Sequence, residues 1–253
     1  MLLRKANAMI LGIDVGNTNI VFGGINEGKL IFSERAATEK ASVAMLLSHV
    51  SDKSFDGVIL SSVVPSINSC ITDTVHEIFG IDPVIVGPEM KMNIHLPEKV
   101  KKEIGADIIV GLVAAAAEYT APLAVVDMGT ASTIFALDKD LWLKGGIIHP
   151  GMVIEYNALS SETEQLPEIT SVEVPDHVLG QNTDECIKSG VAYGHAGMID
   201  AILTGMEREM GTTLTVIATG GLGRLMAPIC SHEIIYDEAL LIKGLDYLYK
   251  MNS

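Results

Sequence analysis

Cysteine and aromatic residues are scarce in this chain of 253 residues, and no long apolar run is present. The cysteines are isolated and lack metal-type spacing, which indicates reduced thiols and a cytoplasmic protein; they are Cys70, Cys186 and Cys230. The longest apolar run, Ile108 to Ala117, is too short to span a bilayer. Asp14 interrupts the apolar stretch near the N-terminus, which argues against a signal peptide.

Basic residues are also few, because 17 Lys and Arg stand against 32 Asp and Glu, for a net charge of −15. This balance argues against nucleic acid or an anionic membrane as a partner. The chain contains no Gly-x-x-x-x-Gly-Lys-Ser/Thr loop, no Gly-x-Gly-x-x-Gly after the first strand, and no His-x-x-x-His or Cys-x-x-Cys pair. If phosphate is bound here, other loops must bind it.

One pattern occurs twice, 113 residues apart. The segments Ile10–Phe22 and Leu123–Phe135 each contain an apolar strand, an aspartate, a glycine two positions later, small polar residues and a second β-rich run. The repeat predicts two hairpins, with Asp14 and Asp127 at their mouths. Such a pair can hold the phosphates of a nucleotide and its metal ion between two similar lobes.

The residue types of the first hairpin suit phosphate and metal chemistry. Gly16 permits a sharp turn close to a ligand, and the backbone N–H groups of Asn17 and Thr18 can form an anion-binding concavity. Asp14 can hold Mg²⁺ through water, since that ion keeps several waters and is often shared with substrate phosphates. The alternative is an ordinary hairpin whose Asp and Asn only stabilise the turn.

Strand and helix patterns alternate along the whole chain, which predicts an α/β fold with mixed sheets flanked by helices. We expect two domains, residues 1–118 and 119–253. Helical spacing occurs over 42–50, 67–79, 98–119, 151–161, 189–209 and 238–251, and strand patterns occur over 29–36, 57–64, 83–86, 141–148 and 214–218.

Two further features are candidates for the site. Thr219-Gly220-Gly221 follows a buried strand and lets a helix start close to a ligand, although glycine pairs at such turns also occur without one. Asp107 lies in apolar surroundings, where burial would raise its pKa and make it a better proton acceptor. It is either a general base aimed into a cleft or a structural acid at a helix end.

Taken in order, these motifs resemble type III pantothenate kinases across nearly the whole chain. The motifs are Asp14-Val-Gly-Asn-Thr18, Ser61-Ser-Val-Val-Pro65, Gly105-Ala-Asp107, Asp127-Met-Gly-Thr130, Gly145-Gly-Ile-Ile-His-Pro-Gly151, Glu164-Gln-Leu-Pro167, Asn182-Thr183 with Ser189-Gly190, and Thr219-Gly-Gly221. The resemblance implies two ribonuclease H-like lobes, as in sugar kinases, heat-shock ATPases and actin, with a nucleotide cleft between them. It also implies that a homodimer phosphorylates pantothenate with ATP, Mg²⁺ and a monovalent cation, K⁺ or NH₄⁺, in the first step towards coenzyme A.

The resemblance also implies roles for individual residues. Asp107 matches the base that deprotonates the substrate hydroxyl, Asp127 the ligand of the monovalent cation, and Asp14 the residue that holds Mg²⁺ through water. The implied ATP-binding residues are Asp14, Val15, Gly16, Asn17, Thr18, Asn19, Ile20, Val21, Thr130, Gly220 and Gly221. The implied substrate-binding residues are His95, Gly105, Ala106, Asp107, Ile108 and Thr183.

The chain departs from the family pattern on the acceptor side. The family usually reads Gly-Ala-Asp-Arg, and this chain has Ile108 in the last position, which cannot grip a carboxylate or phosphate as an Arg does. It also has Asn93-Ile-His-Leu-Pro97 where the family has a Tyr-Asp pair, and Lys101, Lys102 or His95 could replace the lost cation. Two alternatives therefore stay open: a paralogue that phosphorylates another small hydroxyl compound, and a non-catalytic nucleotide-binding regulator.

Overall fold

The computed structural model describes residues 9–26, 28–39, 47–48, 50–164, 166–167 and 172–253. The helix predicted over 42–50 lies largely outside these residues. The described strands are β1 Met9–Val15, β2 Asn19–Asn26, β3 Lys29–Ala37, β4 Gly57–Ser62, β5 Val84–Ile85, β6 Leu123–Met128, β7 Ala131–Leu137, β8 Leu143–Pro150, β9 Thr215–Thr219 and β10 Ile234–Tyr236. The described helices are α1 Pro65–Phe79, α2 Glu98–Lys101, α3 Ala106–Glu118, α4 Met152–Ser161, α5 Thr183–Met210, α6 Gly223–Met226, a 3₁₀ turn Ala227–Ile229, and α7 Leu240–Asn252.

The chain divides into two compact units, and each contains one mixed five-stranded sheet. The first sheet has the strand order β3-β2-β1-β4-β5 and the second has the order β10-β9-β6-β7-β8. In both sheets the first three strands in the chain form an antiparallel meander, and two parallel strands follow on the other side. The repeat seen in two hairpins therefore extends to two whole sheets, and the predicted α/β fold class is confirmed.

Burial explains which strands read as continuous apolar runs. β1 and β6 lie inside their sheets and are buried along almost their whole length, as expected for strands that are covered on both faces. β3 and β8 lie at sheet edges, and there exposed residues alternate with partly buried ones. The first core is centred on Leu11, Ile13, Phe22 and Leu60, and the second on Val126, Ile134, Ile199 and Val216.

The C-terminal helix α7 belongs to the first unit, which consists of Met1–Glu118 and Ala239–Ser253. The predicted division gave residues 239–253 to the second domain. The helix buries an apolar face that contains Leu240, Ile242, Leu245 and Leu248. Glycines make room for it, since a Cβ at Gly23 would lie 2.6 Å from Ile242 Cγ2. Proximity along the sequence therefore does not decide where this helix packs.

Two predicted helices have different bounds in the structure. The helix expected over 98–119 is broken into α2 and α3, with Gly105 just before α3. The helix expected over 189–209 starts earlier, because the Asn182 side chain accepts a hydrogen bond from Glu185 N–H at 3.0 Å and caps α5. None of the described helices is long and apolar enough to cross a membrane.

Candidate active site

The turn between β1 and β2 is tight and is held in place by the end of β3. Gly16 N–H donates to Asn19 O at 2.9 Å, and Thr38 Oγ1 donates to Gly16 O at 2.7 Å. Thr38 N–H also donates to Thr18 O at 2.9 Å. Asn17, Thr18 and Asn19 are exposed, so the turn presents polar side chains and backbone groups to solvent, as a phosphate-binding turn must.

The apolar members of the predicted ATP-binding hairpin belong to the core. Val15 and Ile20 are paired across the hairpin and are at most 1% exposed. Val21 is half-buried and lies opposite Asp14. Any contact of Val15 or Ile20 with a ligand must therefore come from the backbone.

Asp14 is a buried carboxylate whose oxygen atoms are incompletely paired. It lies near the end of β1, and the parallel register with β4 puts Ser61 beside it. Asp14 is 7% exposed and Ser61 is fully buried. Neither Asp14 Oδ1 nor Ser61 Oγ makes a hydrogen bond of regular geometry with any residue that the structure describes. A buried oxygen in this state is costly unless a ligand or ion supplies a partner.

The surroundings of Asp14 raise its pKa to about 7. Burial is the largest cause, the Ser61 hydroxyl opposes the shift, and the negative charge of Asp107 adds to it. The positive charge of Arg35, an exposed residue on β3, has a weaker opposing effect. The electrostatic coupling between Asp14 and Asp107 shows that the first unit brings together two carboxylates that are 93 positions apart in sequence.

Asp107 lies in the first turn of α3, and its carboxylate folds back onto the helix start. Ile108 N–H donates to Asp107 Oδ1 at 2.8 Å. Burial nevertheless raises the pKa of Asp107, which makes it a better proton acceptor near neutral pH than an exposed aspartate. A Cβ at Gly105 would collide with Asp107 Oδ1, so a larger residue there would displace this carboxylate. This contact gives a physical reason for the glycine of the Gly105-Ala106-Asp107 motif.

The possible replacements for a cation at position 108 lie just before α2 and at its end, where Lys102 is exposed. Ile94 and Leu96 are buried, which leaves His95 between them exposed. The Lys101 ammonium forms an ion pair with Glu98 at 2.7 Å and lies 3.9 Å from Glu89. This lysine therefore already has anionic partners.

In the second unit, Asp127 and Gly220 are in close contact. Asp127 on β6 is paired with Thr219 on β9, which puts the following glycine against the carboxylate. Gly220 has a φ of +87°, and a Cβ there would lie 2.5 Å from Asp127 Oδ1 and 2.6 Å from Met128 O. A carboxylate oxygen and a carbonyl oxygen are thus close together at this point, and oxygen donors of this kind suit hard cations.

Thr130 lies in the turn between β6 and β7, and the start of α4 is packed onto it. Gly151 N–H donates to Thr130 O at 3.0 Å, and a Cβ at Gly151 would collide with the carbonyls of Gly129 and Thr130. The second hairpin therefore depends on a glycine that immediately precedes a helix. Gly221 is exposed next to Gly220.

Thr183 is the first residue of α5 and belongs to a groove in the second unit. It lines an open groove of about 880 Å³ together with His149, Glu155 and His195. The structure thus groups the predicted residues into three sets: Asp14, Gly105 and Asp107 in the first unit, Asp127, Thr130 and Gly220 in the second, and Thr183 on the groove.

Sequence reasoning assigned no role to Ser61 or Arg35. Ser61 lies in the Ser61-Ser-Val-Val-Pro65 motif, which could have singled it out, but its place beside Asp14 follows from the register of a parallel strand pair. Arg35 is in the edge strand β3 and carries no motif. His149, Glu155 and His195, which line the groove, were assigned no role either, because their spacing in the sequence follows no metal-binding pattern.

Comparison with known proteins finds the same family that the sequence motifs resemble. The type III pantothenate kinase family model matches residues 10–205. A protein of Exiguobacterium sp. named type III pantothenate kinase is 39% identical over 255 residues, which cover 97% of this chain and 100% of that protein. A Bacillus cytotoxicus protein with the same name is 37% identical over 97% of both chains.

A solved structure has a fold similar to that of this chain. The polyphosphate/ATP-glucomannokinase of Arthrobacter sp. strain KM superposes with a TM-score of 0.50 at 16% identity, over 97% of this chain and 98% of that one. At this identity the likeness concerns the two-lobed fold alone. The sequence matches cover almost the whole chain and show that this protein belongs to the type III pantothenate kinase family.

Proposed function

We propose that this chain transfers the γ-phosphoryl group of ATP to the hydroxyl group of pantothenate and forms 4′-phosphopantothenate, the first step of coenzyme A biosynthesis. The observation that carries the proposal is the pair of carboxylates Asp14 and Asp107 in the first unit: burial raises the pKa of both, and the negative charge of Asp107 raises the pKa of Asp14 further. Family membership supports the same reaction.

Asp107 is the proposed base. The hydroxyl oxygen of pantothenate forms a bond to the γ-phosphorus, and the bond from that phosphorus to the bridging oxygen of the β-phosphate breaks. ADP leaves with the bonding electron pair, and the hydroxyl proton moves to the Asp107 carboxylate. Because the transition state is loose, the main tasks of the protein are to position the hydroxyl and to balance charge. The raised pKa of Asp107 favours proton uptake near neutral pH.

Asp14 is the proposed partner of Mg²⁺, through water, and the turn Gly16–Asn19 is the proposed phosphate-binding turn. The fit rests on Asp14 Oδ1, a buried oxygen without a regular hydrogen bond among the described residues. A divalent cation supplies positive charge that favours the ionised carboxylate and balances the phosphates. The exposed polar residues of the turn support its contact with phosphate oxygens.

Asp127 is the proposed ligand of a monovalent cation, K⁺ or NH₄⁺. The closeness of Asp127 Oδ1 and Met128 O around Gly220 provides oxygen donors for it. Thr130 and the glycines Gly220 and Gly221 are proposed to contact ATP from the second unit. His95, Ala106, Ile108 and Thr183 remain proposed contacts of the acceptor.

A coupled assay of ADP release tests the reaction, with pantothenate as acceptor and with or without K⁺. Asp107→Asn should lower kcat about 10²- to 10⁴-fold, while ATP binding and Tm stay near those of the wild type. Asp73→Asn is the matched control, because Asp73 is an exposed aspartate of the first unit. No ADP release from folded protein that binds ATP would contradict the proposal, and so would normal turnover by Asp107→Asn.

A second candidate function is the phosphorylation of a different small hydroxyl compound. The observation that favours it is Ile108, which cannot hold an acceptor carboxylate, together with a Lys101 side chain that is already paired with glutamates. Pantothenate, pantetheine, pantoate and related polyols should be compared as acceptors. A kcat/KM for another acceptor above that for pantothenate would favour this candidate, and ATP binding without transfer to any acceptor would indicate a regulator.

The active form is proposed to be a homodimer in the cytoplasm. Large apolar side chains of the second unit are exposed, among them Leu179 at 84% and Ile148 at 71%, and burial of such side chains between two copies would stabilise a dimer. The three unpaired cysteines agree with a reducing compartment. Light scattering at micromolar concentration should give twice the mass of the chain, and a monomer mass would contradict the dimer.

A further inference from the structure

Three side chains that the proposed reaction does not use converge in the second unit. His149 lies near the end of β8, Glu155 in the first turn of α4, and His195 in the middle of α5. One nitrogen of each histidine and one oxygen of Glu155 lie within 4.8 Å of one another. No other three His, Cys, Asp or Glu side chains come together in this way in the described part of the chain.

Two of the three separations match those around a tetrahedral metal ion, and the third, between the two histidine nitrogens, is at most 4.8 Å. Glu155 Oε1 lies 3.2 Å from His195 Nδ1 and 3.4 Å from His149 Nδ1. Ligand atoms that bind one tetrahedral Zn²⁺ at about 2.0–2.1 Å are about 3.3 Å apart. The two imidazole rings are tilted by 72° with centroids 5.7 Å apart, so they do not stack on one another.

A hydrogen bond behind His195 orients its ring. His195 is 2% exposed, and its Nε2 lies 2.8 Å from Oγ of Ser132, which is also buried. When Nε2–H donates to Ser132 Oγ, the lone pair of Nδ1 points at Glu155 Oε1. Two electron-rich atoms then face each other at a partly buried place, and a cation between them removes the repulsion; in the other tautomer, Ser132 Oγ–H donates to Nε2 and Nδ1–H donates to Glu155 Oε1. Histidines that bind metals commonly have such a partner on their other nitrogen.

His149 is the third member of the cluster and the most exposed of the three side chains. The antiparallel register of β7 and β8 places His149 opposite Ser132, so the two side chains lie on the same face of the sheet. Its side chain is 36% exposed. His149 Nδ1 also lies 2.9 Å from Pro150 O, and metal binding at this nitrogen replaces that contact.

The cluster opens onto the groove of about 880 Å³ described above. Apart from the three proposed ligands the groove is lined largely by apolar side chains, including Leu159, Val191 and Met198. An ion can enter from this side, and a water molecule or small ligand can occupy its fourth position. Three protein ligands with one open position are typical of a zinc site that stays accessible to ligands.

We propose that His149, Glu155 and His195 form a transition-metal site in the second unit that binds Zn²⁺ and joins β8, α4 and α5. Two imidazole nitrogens and one carboxylate oxygen suit Zn²⁺ better than Mg²⁺ or K⁺, which prefer oxygen donors alone. The site is therefore separate from the cation sites proposed at Asp14 and Asp127, and it does not depend on the kinase reaction.

Metal titration of the full, tag-free chain tests this site after treatment with a chelator. Calorimetry should show one Zn²⁺ bound per chain, and Co²⁺ in its place should give the intense visible absorption of tetrahedral coordination. His149→Ala and Glu155→Gln should each lower the affinity for Zn²⁺ at least about tenfold and remove the Co²⁺ absorption. Both positions are partly exposed, so these variants should fold even if changes at the buried His195 do not.

Two histidine variants serve as matched controls. His76 on α1 pairs with Asp82 at 2.8 Å and is exposed, and His232 pairs with Asp200 at 2.7 Å. His76→Ala and His232→Ala should bind Zn²⁺ as the wild type does. The proposal is overturned if no saturable Zn²⁺ binding is found, if His149→Ala and Glu155→Gln bind Zn²⁺ with unchanged affinity, or if His232→Ala abolishes binding. Phosphoryl transfer is not the readout, so failure here leaves the proposed reaction untouched.

Discussion

Replacing Asp14 by asparagine should remove the fall in folding stability that this carboxyl group causes as the pH rises. Burial raises the pKa of Asp14 from 3.8 to about 7 in the folded chain. The folded state therefore holds this proton more tightly than the unfolded state does. The resulting stabilisation is complete below about pH 4 and is lost as the pH rises through about 7. The asparagine of the variant does not titrate, so its contribution to the free energy of unfolding does not vary with pH.

The size of the effect follows from the shift. A change from 3.8 to about 7 corresponds to about 4 kcal/mol over the whole pH range. About 2 kcal/mol of this falls between roughly pH 5.5 and pH 8.5. The buried amide of the variant has its own cost of about 1–3 kcal/mol, but that cost is the same at both pH values and cancels in the difference.

Urea unfolding at these two pH values measures the effect, in buffer without divalent cations or nucleotide. Between about pH 5.5 and 8.5 the wild type should lose about 2 kcal/mol more of its free energy of unfolding than Asp14→Asn. Asp73→Asn, with its change at an exposed position, should keep the slope of the wild type. If Asp14→Asn also keeps that slope, Asp14 is not buried as a proton-binding carboxyl group and the argument for a cation beside it is refuted.

Three further variants test the surroundings of Asp127, the placement of Asp107 and the acceptor side. Gly220→Ala should lower the free energy of unfolding by about 1–2 kcal/mol, because φ is +87° at this position. It should also weaken activation by K⁺, because the added Cβ displaces the Asp127 carboxylate. Equal activation of the variant and the wild type by K⁺ would contradict this. Gly105→Ala should lower kcat at least about tenfold by moving the Asp107 carboxylate away from its position, and an unchanged kcat from a folded variant would refute that placement. Lys101→Met should leave the KM for pantothenate within about twofold, since the ammonium already pairs with two glutamates; a tenfold rise would make Lys101 the substitute for the missing arginine.

Local pattern was enough to predict most of the elements that carry the site. Ile10–Phe22 and Leu123–Phe135 form the two hairpins as expected, because apolar runs around a short turn leave few other conformations. The predicted bounds were weakest where a side chain decides where a helix starts. At the start of α3 the Asp107 carboxylate lies against Gly105 and accepts a hydrogen bond from Ile108 N–H, and the early start of α5 depends on the Asn182 cap.

Packing between distant segments could not be predicted in the same way. The amphipathic pattern of Leu240–Asn252 indicated a helix, but an apolar face does not specify which sheet it covers, and this one covers the first. The cluster of His149, Glu155 and His195 was still harder to predict from local patterns. It brings together the end of a strand and two helices that follow it at different distances along the chain.

Residue types and their order along short segments were enough for the two hairpins, the α/β class and the family. Three-dimensional packing was needed to show that Asp14 and Asp107 share one environment, that Ser61 lies beside Asp14, and that α7 belongs to the first unit. The physical reason is that a pKa depends on burial and on charges nearby in space. Both are set by strand register and helix packing, which no local run of residues contains.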